Sequence, residues 1–186
     1  MALKSTIYKA TLQIADMDRA RYATHSLTLA RHPSETDERL MVRLLAFGLN
    51  VPADDADGAL VFARGLSDTD EPDLWQTALD GRLRHWIEVG QPADERRLSR
   101  ACGRADRVSV YAYSAAAEIW WAGIRHKLAR LPNLAVWRLP AAQSQALAAF
   151  ADERSLQLQL NVQDGQCWLT DARRSMEIHP MPLKVA

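Results

Sequence analysis

Three carboxylates in separate segments of the chain have the residue types and settings for phosphoester chemistry. Glu38 opens a helix, Asp73 sits in Asp70-Glu71-Pro72-Asp73-Leu74-Trp75, and Glu88 lies inside the apolar run Trp86-Ile87-Glu88-Val89-Gly90. An ionised carboxylate in such a strand is costly unless a cation or hydrogen bonds compensate it, and a divalent ion held by convergent acids is one solution. Such an ion lowers the pKa of a bound water, and a nearby cation offsets charge on the phosphoryl transition state. The expectation is that Asp73 and Glu88 converge to within about 6 Å and that Glu38 approaches the same cavity.

Each acid also has a plain structural reading. Glu38 lies near a helix start, where the macrodipole favours acids. Asp73 fits a solvated turn, and Glu88 can pair with Arg84 on the same strand face. Arg97, Arg100 and Arg104 form a stripe that is either a solvated helix face or a local phosphate track. Most of the six tryptophans read as core, with Trp75 and Trp86 the two placed to stack on a base.

Other chemistries find no residues. His25, His32, His85, His126 and His179 show no ligand spacing, and Cys102 and Cys167 are far apart and outside any Cys-x-x-Cys pair, which predicts free buried thiols. There is no Gly-x-Ser-x-Gly elbow, phosphate-binding glycine loop or dinucleotide fingerprint. Metal-assisted phosphoester chemistry is the enzyme class left with residues to name.

Composition frames the problem. A chain of 186 residues with 48% hydrophobic content can bury one core, so a single domain over residues 1–186 is expected. Lys+Arg and Asp+Glu are equal at 23 each, so any attraction for phosphate must come from a local patch. No signal-peptide core and no apolar stretch near the ~20 residues that span a bilayer appears, which predicts a cytoplasmic protein without membrane association.

The elements that must position these residues follow from hydrophobic period and turn chemistry. Alternation over Thr6–Ile14 and Tyr22–Ala30 around Asp16-Met17-Asp18-Arg19 predicts an opening hairpin. Ser34 with Asp37 forms a capping box ahead of a helix from about Glu35 to Leu49. After acidic loops at Val51–Gly58 and Ser67–Glu71, flanking a short strand Ala59–Ala63, Asp80-Gly81 turns into a strand Arg82–Val89. There Leu83, Ile87 and Val89 face one way and Arg84, Trp86 and Glu88 the other. A helix Asp94–Arg104, a strand Val108–Tyr113, a helix capped by Ser114 running toward Arg130 and a strand Leu134–Leu139 complete an alternating middle. An alanine-rich helix Ala141–Asp152, a hairpin turning at Asp164-Gly165 and an extended tail Ile178–Ala186, partly ordered by contact, close the chain.

Several of these segments together resemble the bacterial YaeQ family over essentially the whole chain. They are Met1-Ala2-Leu3-Lys4, Leu29-Ala30-Arg31-His32-Pro33-Ser34-Glu35-Thr36 with Glu38-Arg39, Trp86-Ile87-Glu88, Asp94-Glu95-Arg96-Arg97 and Ile119-Trp120-Trp121. The resemblance implies an α/β (α+β) fold of the PD-(D/E)XK restriction-endonuclease-like superfamily. Its core is a mixed four-stranded sheet flanked by helices in the order αβββαβ, here with N- and C-terminal β-hairpins. It implies that Glu38, Asp73 and Glu88 hold Mg²⁺ or Mn²⁺ beside a nucleic-acid phosphodiester. The lysine expected two residues after Glu88 is replaced by Gly90, with Gln91 next to it. In some relatives that cation moves to the following helix, which makes Arg97 or Arg100 the candidates. Arginine can clamp phosphate but stays protonated and cannot serve as a base.

Two functions follow. One is a Mg²⁺-dependent nuclease-like protein using Glu38, Asp73 and Glu88, with Gln91 and Arg97 or Arg100 near the phosphate. The other is a non-catalytic module that keeps the fold and binds nucleic acid or a protein partner. DNA against RNA and the oligomeric state stay open at this level.

Overall fold

The computed structural model describes residues 4–63, 70–92 and 94–186. The expected loop over 67–71 is therefore described only at Asp70 and Glu71, and the opening tetrapeptide only at Lys4. The architecture is mixed α+β: two mixed sheets with four α-helices among the described residues. Of those helices, none is long and apolar enough to cross a membrane.

The first sheet begins with the expected hairpin, β1 (Thr6–Asp16) and β2 (Arg21–Arg31), paired antiparallel from Thr6 with Arg31 to Asp16 with Arg21. β8 (Ser155–Gln163) joins β1 in parallel, followed by β9 (Gln166–Thr170) and β10 (Ser175–Ile178), giving the order β10-β9-β8-β1-β2. Asp164 and Gly165 make the β8–β9 turn with φ of 54° and 75°, the left-handed conformations that an Asp-Gly hairpin turn supplies.

α1 (Asp37–Asn50) follows β2, and its residues from Leu40 to Gly48 are all buried. It lies in a core shared by Leu12, Leu158 and Leu160 of the first sheet and Leu74, Ile87 and Tyr111 of the second, and is thus wedged between the sheets. Its cap differs from the expected one. Thr36 accepts from Arg39 N at 3.1 Å, while Ser34 Oγ bonds the His32 ring, because the chain reaches the helix only after a turn in which Glu35 N donates to His32 O.

The second sheet has the order β11-β7-β6-β5-β4-β3. It is built from β3 (Leu60–Phe62), β4 (Leu74–Thr77), β5 (Leu83–Val89), β6 (Ala105–Ala112), β7 (Leu134–Arg138) and β11 (Met181–Lys184). Between them run α2 (Glu95–Arg104), capped by Asp94, and α3 (Ala116–Leu128). The chain from α1 to β6 therefore reads α1-β3-β4-β5-α2-β6. α2 and α3 cover the face opposite α1, closing a second core around Trp86, Leu98, Val110, Ile124 and Val136.

Two local expectations are corrected and two are refined. Leu83 packs with the Trp86 side, at the end of β5 where a register shift between Gln76 and Thr77 breaks the alternation. Ser114 adopts φ 71° and sits one residue ahead of the N-cap Ala115, its Oγ taking the Ala116 N–H at 3.4 Å. The last predicted helix stops at Leu147 and tightens into a 3-10 turn, Ala148–Ala151, after α4 (Ala141–Leu147). The tail is extended and ordered by contact, since β11 pairs with β7 of the second sheet, while β10 just before it joins the first.

Candidate functional site

The strand β5 sets the site. Alternation sends Ile87 and Val89 into the α1 core and Trp86 and Glu88 to the α2 side. Glu88 is buried, and its Oε1 accepts from Trp86 Nε1 at 2.8 Å and from Arg97 Nε at 2.7 Å. Burial pushes the Glu88 carboxyl above the usual carboxylate range; Arg97 and Trp86 oppose that, and the negative charge of Asp73 adds to it. Glu88 does not pair with Arg84, which instead bonds Asp57 and Asp106 at the surface.

Asp73 precedes β4 and is tied to the same strand, its N–H donating to Ile87 O at 3.0 Å and its Oδ2 accepting from Val89 N at 2.7 Å. Its Oδ1 meets the Arg39 guanidinium at 2.5 Å. A solvated turn does not describe it. Asp73, just ahead of β4 and bonded to β5, acts electrostatically on Glu88, so the structure brings these two together.

Glu38, in the first turn of α1, accepts from Ser144 Oγ at 2.7 Å across to α4. It belongs to the same neighbourhood through Tyr113. Burial raises that phenol, Arg39 opposes, and Glu38, Glu35 and Asp73 all push it further up. Gln91 anchors the turn after β5 by donating to Tyr113 O, with Ser114 Oγ at 3.5 Å. Gly90 has φ +113°, a conformation that L side chains rarely adopt, although a Cβ there would touch little. A lysine at this position would be strained, and the cation comes from α2 instead.

The two arginine candidates part ways. Arg97 reaches Glu88, its NH2 also donating to Glu71 O at 2.8 Å. Arg100 is exposed and lies 3.6 Å from an equally exposed Asp70. Trp86 is buried beneath Arg97 and Arg104, 6.0 and 5.4 Å from its ring centroid, and so presents no face to a base. Trp75 is half-buried in β4.

Residues that the sequence reading passed over complete the centre. Glu35 is buried and takes Arg39 NH1 at 2.9 Å, Arg43 Nε at 2.7 Å and Arg43 NH2 at 2.8 Å. Asp73 and Glu35 together raise the Arg39 guanidinium against the lowering effect of its burial. The spacing Glu35, Arg39, Arg43 at four-residue steps was the available signal.

The donor set does not fit a divalent ion in this arrangement. Asp73 spends both oxygens on Arg39 and Val89, and Oε1 of Glu88 serves both Trp86 and Arg97. Among the described residues no group of three or more His, Cys, Asp or Glu converges to hold a metal. The centre instead balances carboxylates with guanidiniums. Cys102 and Cys167 are free, with burial pushing their thiols up to about 11 and about 12, as unreactive groups.

Comparison with known proteins gives consistent matches. The family profile described as YaeQ protein matches residues 1–180. The chain is 50% identical over 179 residues to the YaeQ protein of Salmonella typhi, covering 96% of this chain and 95% of that one. It is 47% identical over 180 residues to that of Escherichia coli strain K12, covering 96% of each. The crystal structure of YaeQ from Xanthomonas axonopodis pv. citri superposes with a TM-score of 0.91 at 44% identity, over 98% of this chain and 100% of the other. That from Pseudomonas syringae gives 0.87 at 37% identity, over 98% and 97%.

Proposed function

This chain belongs to the YaeQ family, and from that premise we propose that it is a PD-(D/E)XK-type, nuclease-like protein that binds nucleic-acid phosphodiesters without cutting them. The observation that carries this reading is the Arg97–Glu88 pair at 2.7 Å, seconded by Arg39 on Asp73. A guanidinium from α2 takes the carboxylate oxygen that a hydrolytic metal would need, and arginine cannot replace a lysine as a proton acceptor. Attraction for phosphate comes from the rest of α2, whose ten residues carry Arg96, Arg97, Arg100 and Arg104 against the single acid Glu95. Arg96, Arg100 and Arg104 are exposed.

The second reading is Mg²⁺-dependent cleavage. It is favoured by the order α1-β3-β4-β5-α2-β6, the order expected of the superfamily core, by Glu38 and Asp73 both acting on Tyr113, and by Asp73 acting on Glu88. It requires Arg39 and Arg97 to release their carboxylates.

Fluorescence anisotropy with labelled single- and double-stranded DNA and RNA, across a KCl series and in either EDTA or Mn²⁺, tests both. The first reading expects binding that survives EDTA, weakens with salt, and falls about equally for all sequences in Arg96→Gln and Arg100→Gln. Binding or cleavage seen only with Mn²⁺ and lost in Glu88→Gln transfers the assignment to the second. Absence of binding in every condition overturns both.

A further inference from the structure

A second charged locus lies at the other end of α1. The acidic centre gathers at the helix N-terminus, whereas Leu49 and Asn50 at its C-terminus line a cleft of about 510 Å³ between the two sheets. A 14-residue helix spans about 20 Å, so the two loci are separate. The volume lies within the roughly 300–1,000 Å³ typical of small-ligand sites.

Three guanidiniums, Arg19, Arg21 and Arg107, converge on this cleft. Arg19 is neutralised by the buried Asp16, whose Oδ2 lies 2.5 Å away. Arg21 and Arg107 have no carboxylate within salt-bridge distance among the described residues. Arg21 donates to Val51 O at 2.7 Å and Arg107 to His85 Nδ1 at 2.9 Å. A guanidinium has five N–H donors, so most of each remains available. The other acid of the lining, Asp18, accepts from the backbone N–H groups of Asp164 and Gly165 at 2.7 and 2.9 Å. Burial and then Arg19 lower the Arg21 guanidinium, and burial with both Arg19 and Arg21 lowers that of Arg107 against the influence of Tyr111. Burial is the larger cause for both, Asp16 opposes it at Arg21, and the neighbouring guanidiniums add to it. Trp137, Ala135 and Pro180 add apolar wall.

We propose that this cleft binds a small phosphate monoester of nucleoside-monophosphate size, with Arg21 and Arg107 clamping the phosphate and Trp137 packing against the organic body. Two unpaired guanidiniums suit a group that carries about −1.5 to −2 charge at neutral pH. The proposal stands independently of whether the acidic centre binds or cleaves nucleic acid.

Isothermal titration of the full chain with adenosine 5′-monophosphate, adenosine and inorganic phosphate at low ionic strength tests it. Saturable binding of the nucleotide at one site is expected, about tenfold or more tighter than either fragment. Arg21→Gln and Arg107→Gln should each weaken it about tenfold or more, whereas Arg173→Gln, which removes the same charge from a surface pair with Asp152 and Glu153, should leave it unchanged. If Arg107→Gln fails to fold, Arg107→Lys keeps the charge, loses the planar fork and should still weaken binding by about threefold or more. No saturable nucleotide binding, inorganic phosphate binding as tightly as the nucleotide, or equal weakening by Arg173→Gln would overturn the assignment.

Discussion

At the residue scale the Glu88–Arg97 pair decides how the acidic centre behaves. Glu88→Gln keeps an oxygen acceptor for Trp86 Nε1 and Arg97 while removing a charge that burial already disfavours. It should cost less than about 1 kcal/mol in urea denaturation. Arg97→Gln leaves a buried carboxylate with the indole alone and should cost about 1–3 kcal/mol at pH 7, below a fully buried pair because Arg97 is 28% exposed. That deficit has a defined pH sense. An acid whose folded pKa is raised binds more protons folded than unfolded, so its penalty grows as pH rises through the unfolded value and fades below it. Denaturation of Arg97→Gln against wild type should show the gap closing toward about pH 4. The double variant should recover part of the loss, and a cycle with no coupling between the two positions would mean that the bond contributes nothing. Glu88 as a buried strand acid was legible from its apolar neighbours. Its partner came into view only through the family resemblance, which offered Arg97 or Arg100, because Arg97 is nine residues away on another element and Arg84 satisfied the local pattern equally well.

At the element scale α1 is the piece on which both loci hang, so its cap and its packing are the sensitive points. Thr36→Ala removes the acceptor for Arg39 N and should destabilise by about 1 kcal/mol, while Ser34→Ala, two residues too early, should change stability by less than about 0.5 kcal/mol. Urea midpoints for the two variants check the assignment of the cap. Gly48 shows how tightly the helix is wedged. A Cβ there would lie 2.5 Å from Leu160 Cδ2 and 3.3 Å from Leu12 Cδ2. Alanine improves helix propensity by about 1 kcal/mol but overpacking costs about 1–3 kcal/mol, so Gly48→Ala should lower the thermal midpoint rather than raise it. The helix was readable from Leu40, Met41, Leu44 and Leu45 on one face, with its cap displaced by two residues from Ser34 to Thr36. That all its sides are buried was not, since a polar-looking Arg43 and a small Gly48 gave no hint of the two sheets that close over them.

Across the whole molecule, stability against acid should report on His85, buried in the second sheet beneath Arg107. With Arg107 donating to Nδ1, the neutral ring carries its proton on Nε2 toward Ser109 Oγ at 2.8 Å. Burial, helped by Arg107, pushes this histidine down to about 3. A depressed folded pKa means that the unfolded chain binds the extra proton, so the contribution is whole above about pH 6.5 and is lost as pH falls toward 3. By pH 5 the loss should reach about 2 kcal/mol, and His85→Gln should flatten the stability profile between pH 7 and 5; equal slopes would remove His85 as the cause. The sequence by itself determined the strands that alternate, the helices with one apolar stripe, the Asp-Gly hairpin turn and, through dispersed identical segments, the family. These are properties of period and local turn chemistry, which act over a few residues. It did not reveal β4, a four-residue strand of mixed character made a strand by pairing with β3 and β5. Nor did it show that β10 and β11 divide between the two sheets, that Asp73 is matched to Arg39 of α1, or that Glu88 takes Arg97 rather than Arg84 or Arg100. Only the tertiary structure could decide these, because a buried charge takes whichever partner the packing of distant elements delivers, and that delivery leaves no trace in the spacing of neighbouring residues.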